Sequence, residues 1–276
     1  MRTVQLPSGE RVPALGQGTW KMGERRERRA GEIAALRAGV DLGMTLVDTA
    51  EMYGEGAAEA LIGEALGSRR NELFLVSKAY PQNASRGRLA RACEASLERL
   101  GTDRLDLYLL HWRGSVPLAE TVEAMEALRE AGKVRHWGVS NLDTADMAEL
   151  VAAGGRACAT NQILYNLTRR GPEHDLIPWL ARHRAPLMAY SPVEQGRLLA
   201  HRGLTAWAGR REATPAEVAL AWLLAQDGTI AIPKAGSVAH VEENRAAAEL
   251  ELSAADLAEL DELFPRPRGR VPLEML

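Results

Sequence analysis

Eight times along this chain a short β-branched or leucine-rich run gives way to a longer stretch of helical periodicity. The candidate strands are Leu15 to Thr19, Thr45 to Thr49, Leu73 to Lys78, Leu105 to His111, Arg135 to Val139, Ala157 to Gln162, Pro186 to Tyr190 and Thr229 to Pro233. Parallel strands need a crossover between them, usually a helix, so eight such units point to a closed ring of strands inside a ring of helices. Such a ring takes about 250 residues as one domain, and the chain has 276. The expected fold is α/β, a (β/α)₈ TIM barrel. A doubly wound open sheet fits less well, because Gly16-Gln17-Gly18 continues into Thr19-Trp20-Lys21 without the remaining glycine of a dinucleotide loop.

Two features lie outside the eight units. Val4 to Leu6 and Arg11 to Ala14 flank Pro7-Ser8-Gly9-Glu10 and predict an N-terminal β-hairpin. Ser253-Ala254-Ala255-Asp256, followed by Leu257, Leu260 and Phe264 at helical spacing, predicts an extra C-terminal helix. A capped helix start is also legible in Thr214-Pro215-Ala216-Glu217. No linker or composition shift interrupts the rhythm, so residues 1–276 are expected to form a single domain.

A formal charge of -3 gives no general attraction to nucleic acid or anionic membrane. Cys93 and Cys158 stand far apart and read as reduced core thiols. No apolar run approaches a membrane span or a secretion signal, so a cytoplasmic location is expected, and the chain is expected to be a monomer. The six histidines form neither His-x-His nor His-Glu-x-x-His, and no metal is expected. The basic run from Arg25 to Arg29 reads as a solvated helix start.

Reactive groups of a parallel barrel collect where strands end. Asp48 closes the second run, Tyr53 follows it, Lys78 ends the third and His111 ends the fourth. A phenol is a poor acid at neutral pH unless its phenolate is stabilised. A lysine ammonium does that, an aspartate keeps the ammonium charged, and a neutral imidazole orients a carbonyl oxygen. Each residue alone also suits a structural role, as ion pair, amphipathic wall or core histidine. At the ends of consecutive strands the four together favour proton transfer to a carbonyl.

The sequence resembles the aldo-keto reductase family over almost its whole length. The residues that carry the resemblance are Gly16-Gln17-Gly18-Thr19-Trp20, Val47-Asp48-Thr49-Ala50-Glu51-Met52-Tyr53-Gly54, Ser77-Lys78, Leu109-Leu110-His111-Trp112, Gly138-Val139-Ser140-Asn141, Asn161-Gln162, Tyr190-Ser191-Pro192 and Ile232-Pro233-Lys234. The resemblance implies NAD(P)H-dependent carbonyl reduction by a tetrad of Asp48, Tyr53, Lys78 and His111, with Tyr53 as general acid. It also implies that Ser140, Asn141 and Gln162 bind the nicotinamide carboxamide and that Tyr190 stacks on the ring. Ser191 and the backbone near Val193 would meet the pyrophosphate. Ser140-Asn141 also suits a helix cap before Leu142.

At the adenosine end Lys234 matches the family's 2′-phosphate lysine, and Glu243 and Asn244 its adenine contacts. Ala235 replaces the usual serine, and His240 stands where many members carry arginine. NADPH is the expected cofactor, with NADH weaker. Trp20, Met52 and Trp112 are expected around the substrate, with core packing an equal alternative for the tryptophans. The short tail after Phe264 offers little to cover a large pocket. Small aldehydes, ketones or dicarbonyls such as methylglyoxal are the expected substrates, and the motifs resemble a bacterial branch that reduces them. The rivals are a retaining glycosidase built on Asp48 and Glu51, and a cofactor-sensing binding module.

Overall fold

In the computed structural model, which describes residues 1–276, the hairpin comprises β1 (Thr3–Gln5) and β2 (Arg11–Pro13). Eight parallel strands follow: β3 (Gln17–Gly18), β4 (Leu46–Asp48), β5 (Phe74–Ala79), β6 (Leu105–Leu110), β7 (Val134–Ser140), β8 (Asn161–Leu164), β9 (Leu187–Tyr190) and β10 (Thr229–Ala231). They neighbour one another in sequence order. Gly16 N donates to Ala231 O at 2.8 Å, Ala231 N to Ala14 O at 2.8 Å and Gly18 N to Pro233 O at 2.9 Å, which closes the ring between the first and last strands. All eight expected strands are present, mostly shorter than their apolar runs. The sixth moves furthest: it starts at Asn161 because the chain is still turning at Gly155, whose carbonyl accepts from Cys158 N.

Alternation along each strand sorts side chains between two cores. Leu46, Phe74, Val76, Leu107, Leu109, Met188, Ile230 and Ile232 fill the barrel together with Leu6 and Val12 of the hairpin. Leu75, Tyr108, Trp137, Val139 and Ile163 point outward into the layer shared with the helices. Interior crowding is tight: a Cβ on Gly18 would lie 2.7 Å from Ile232 O.

The hairpin is tied to the barrel by Glu10, which pairs with Arg135 at 2.8 Å and His136 at 2.7 Å. The helices Pro215–Ala225 and Ala254–Leu263 begin with the capping boxes expected at Thr214 and Ser253. The run from Arg25 to Arg29 leads through a short 3₁₀ turn into the helix Arg29–Asp41. Both cysteines are buried, and burial pushes each thiol pKa up to about 12, so both remain protonated. No helix is long and apolar enough to cross a membrane.

Candidate active site

The same alternation carries the polar residues to one rim. Asp48 continues the inward row of Leu46, Lys78 that of Phe74 and Val76, and His111 that of Leu107 and Leu109. Tyr53 enters from the 3₁₀ turn after β4. That turn is docked on β5 by Thr49 N donating to Val76 O at 2.9 Å and Glu51 N to Lys78 O at 3.3 Å.

Lys78 Nζ donates to Asp48 Oδ2 at 2.8 Å, to Thr49 O at 2.8 Å and to Tyr53 Oη at 3.2 Å. Its three protons are therefore all engaged. Lys78 is completely buried and Asp48 nearly so. Burial works against the Lys78 charge, but Asp48 and Tyr53 outweigh it and raise the lysine pKa above its ordinary value. Burial also pushes the Asp48 carboxyl upward, against the pull of Lys78 and Gln162.

The tyrosine departs from expectation. Burial raises its pKa; Lys78 offsets only part of that rise, and Asp48 adds to it. Tyr53 is thus held protonated rather than brought near neutrality. His111 behaves as expected of a neutral imidazole, since burial and the Lys78 charge lower its pKa to about 2. Its Nδ1 is buried with no hydrogen-bond partner, and its ring meets Tyr53 edge-on at 5.9 Å.

A second group of polar side chains adjoins the first. Gln162 Nε2 donates to Asp48 Oδ1 at 2.7 Å and also contacts Met188 Sδ. Ser140 Oγ donates to Gln162 O at 2.8 Å, and Asn141 Nδ2 donates to His111 O at 3.1 Å and Ser140 Oγ at 3.1 Å. Tyr190 Oη donates to Asn141 Oδ1 at 3.0 Å. Asn141 has φ 59° and Ser191 φ 50°, a left-handed conformation that costs non-glycine residues about 1–3 kcal/mol each and recurs at ligand clamps. Ser140-Asn141 is not a helix cap: that place belongs to Asp143, which accepts from Ala145 N and Asp146 N. Lys234 pairs across the closure with Gly18 and is exposed, as is His240 at the start of the helix Val238–Ala246. Glu243 is half-buried and Asn244 buried on that helix.

The aldo/keto reductase family model matches residues 14–264. The chain belongs to the aldo/keto reductase family. Over its full length it is 52% identical to methylglyoxal reductase YeaE of Escherichia coli K12, covering 99% of that protein. The crystal structure of an aldo-keto reductase from Klebsiella pneumoniae in complex with NADPH is 51% identical, covers 100% of this chain and 99% of its own, and superposes with a TM-score of 0.97. A second Klebsiella pneumoniae structure, with NADP and acetate, is 51% identical with a TM-score of 0.96, covering 99% of each chain.

Around Asp48, Tyr53, Lys78 and His111, Trp112 is half-buried against His111 and Tyr80, whereas Trp20 is 37% exposed with Lys21 Nζ 4.2 Å from its ring centre. Met52 packs against the small cluster of Ala50, Tyr53 and Ala58. The carboxylates of the glycosidase reading are occupied: both Asp48 oxygens are bonded, and Glu51 Oε1 accepts from Tyr80 N at 2.6 Å and Asn83 Nδ2 at 2.9 Å. Sequence reasoning missed Tyr80, whose aromatic type beside Pro81 carried no distinctive signal. In the C-terminal tail, Glu274 pairs with Arg169 and Arg270 with Asp175 at 2.7 Å.

Proposed function

We propose that this chain reduces small aldehydes, ketones and dicarbonyls such as methylglyoxal to alcohols with NADPH, NADH serving less well. The carrying observation is a single ammonium, Lys78 Nζ, bonded at once to Asp48 and Tyr53 beside a buried neutral His111. The 52% identity to a methylglyoxal reductase supports the substrate class.

The residues present fit a nicotinamide. The hydroxyl and amide groups of Ser140, Asn141 and Gln162 gather beside Asp48 and His111, and Asn141 and Ser191 keep the left-handed conformation that recurs at ligand clamps. Ser140, Asn141 and Gln162 would hold that carboxamide, Tyr190 the ring face, Ser191 and the Val193 backbone the pyrophosphate, Lys234 and His240 the 2′-phosphate, and Glu243 and Asn244 the adenine. Bound reduced nicotinamide supplies a hydride to the carbonyl carbon.

Tyr53 keeps its proton because burial raises its pKa, so it releases that proton only to a strong base such as the oxygen of a carbonyl gaining negative charge. Lys78, fixed at 3.2 Å, then stabilises the phenolate left behind. His111 donates a ring N–H to the same oxygen without losing charge neutrality. Trp20, Met52 and Trp112 would exclude water and fit a small apolar substituent.

We further propose that residues 1–276 act as one catalytic domain, a cytoplasmic monomer. The test is purified protein with methylglyoxal and a panel of aldehydes and ketones, followed by loss of reduced-nicotinamide absorbance. Turnover of the small dicarbonyls is expected; no turnover with any small carbonyl overturns the assignment.

A further inference from the structure

The turn after β9 is shaped by a carboxylate that belongs to none of the groups above. Ser191, Glu194 and Gln195 all have φ between 50° and 53°, a conformation non-glycine side chains disfavour, and three such residues within one short turn persist only where their surroundings enforce them. The enforcing contacts converge on Glu194, which is 4% exposed.

Arg169 Nη2 donates to Glu194 Oε1 at 2.7 Å, Arg197 Nη2 to the same oxygen at 2.8 Å, and Asn166 Nδ2 to Oε2 at 2.7 Å. Asn166 Nδ2 also donates to Ser191 O at 2.9 Å, so one amide holds both ends of the turn. Burial works against the Glu194 charge, yet Arg169, Asn166 and Arg197 together hold its pKa below the ordinary value. The other end of the Arg169 guanidinium pairs with Glu274, joining the turn to the C-terminal tail.

We propose that Glu194 is a positioning residue for the cofactor: through Asn166 and Arg169 it holds the turn from Ser191 to Gln195 in the shape that receives the pyrophosphate. This rests on the assignment of that turn to the pyrophosphate. A carboxylate beside two phosphates would by its charge alone weaken binding, whereas its hold on the turn would strengthen it, so the two effects have opposite signs. If Glu194 acts by shape, its removal loosens the cofactor; if it acts by repulsion, its removal tightens it.

The experiment measures NADPH and NADH dissociation constants by tryptophan fluorescence in the full chain, with thermal unfolding of each variant. Glu194→Gln is expected to weaken both cofactors by a similar factor, about tenfold, because both carry the pyrophosphate. With saturating NADPH, kcat falls far less than the NADPH KM rises. Arg169→Lys, which keeps the charge but loses the forked geometry, gives a smaller loss in the same direction. The double variant Glu194→Gln/Arg169→Lys binds about as weakly as the weaker single variant, since both act on one contact.

Equal or tighter binding by Glu194→Gln, or fully additive losses in the double variant, overturns the proposal. So does a loss of kcat in step with the loss of affinity. A wild-type chain that binds neither cofactor overturns the cofactor assignment itself, which separates the two failures.

Discussion

The Gln162 side-chain amide donates to Asp48 Oδ1 at 2.7 Å, joining residues 114 positions apart on β8 and β4 across the mouth of the barrel. Through this bond the side chain proposed for the carboxamide also satisfies the carboxylate that holds Lys78. Gln162→Met should therefore affect both halves of the site. It leaves a buried carboxylate oxygen short of a donor, at a cost of about 1–3 kcal/mol in stability. We expect weaker NADPH binding together with a lower kcat; a change in affinity alone would confine Gln162 to cofactor binding.

Tyr53→Phe keeps the ring against His111 but removes the only proton the mechanism transfers. Carbonyl reduction should fall by about 10²–10⁴ or more, while NADPH still binds. Steady-state kinetics and fluorescence titration of the same preparation check both statements, and near-normal turnover would refute the role of Tyr53.

Asp48→Asn leaves the Lys78 ammonium buried without its counter-charge. Breaking a buried pair from one side costs about 3–5 kcal/mol, which should appear as a lower urea midpoint together with a lower kcat. Lys78→Met removes the charge that stabilises the phenolate, and its loss should appear in kcat rather than only in KM.

The His111 pKa is lowered to about 2, against an unfolded value of about 6.5. A depressed histidine pKa means that the unfolded chain takes up the proton first. Its contribution to stability is complete above pH about 6.5 and is lost as pH falls toward 2, at about 1.4 kcal/mol per pH unit. The urea midpoint of His111→Asn should fall less steeply than wild type between pH 6 and 4, a window set by these two pKa values. Parallel curves would place the acid sensitivity elsewhere.

At the adenosine end, Lys234→Ala should weaken NADPH by about ten- to a hundredfold, the worth of a charge-assisted hydrogen bond, with a much smaller effect on NADH. His240→Arg should strengthen NADPH, since arginine would supply a permanent forked donor to the 2′-phosphate site proposed for Lys234 and His240. Equal responses of the two cofactors to Lys234→Ala would remove the lysine from the phosphate site.

How far the sequence went depends on the range of the interaction that decides each feature. Strand rhythm, the Thr214 and Ser253 caps and the terminal hairpin are local, and all are present. Strand ends with period-two alternation placed Asp48, Lys78 and His111 on one rim: Asp48 pairs with Val76 and Lys78 with Leu109, so each polar residue lies an even number of residues beyond an inward-facing partner and shares its face. Closure of the ring decided the rest. Gln162 reaches Asp48 only when β8 and β4 face each other, and Glu194 becomes a hub only when the chain near Asn166 and Arg169 packs beneath the turn after β9. Burial is likewise a property of the folded whole. It holds the Tyr53 phenol protonated where charge alone pointed the other way, because the free energy of hydration lost by a phenolate inside the barrel exceeds what one lysine returns.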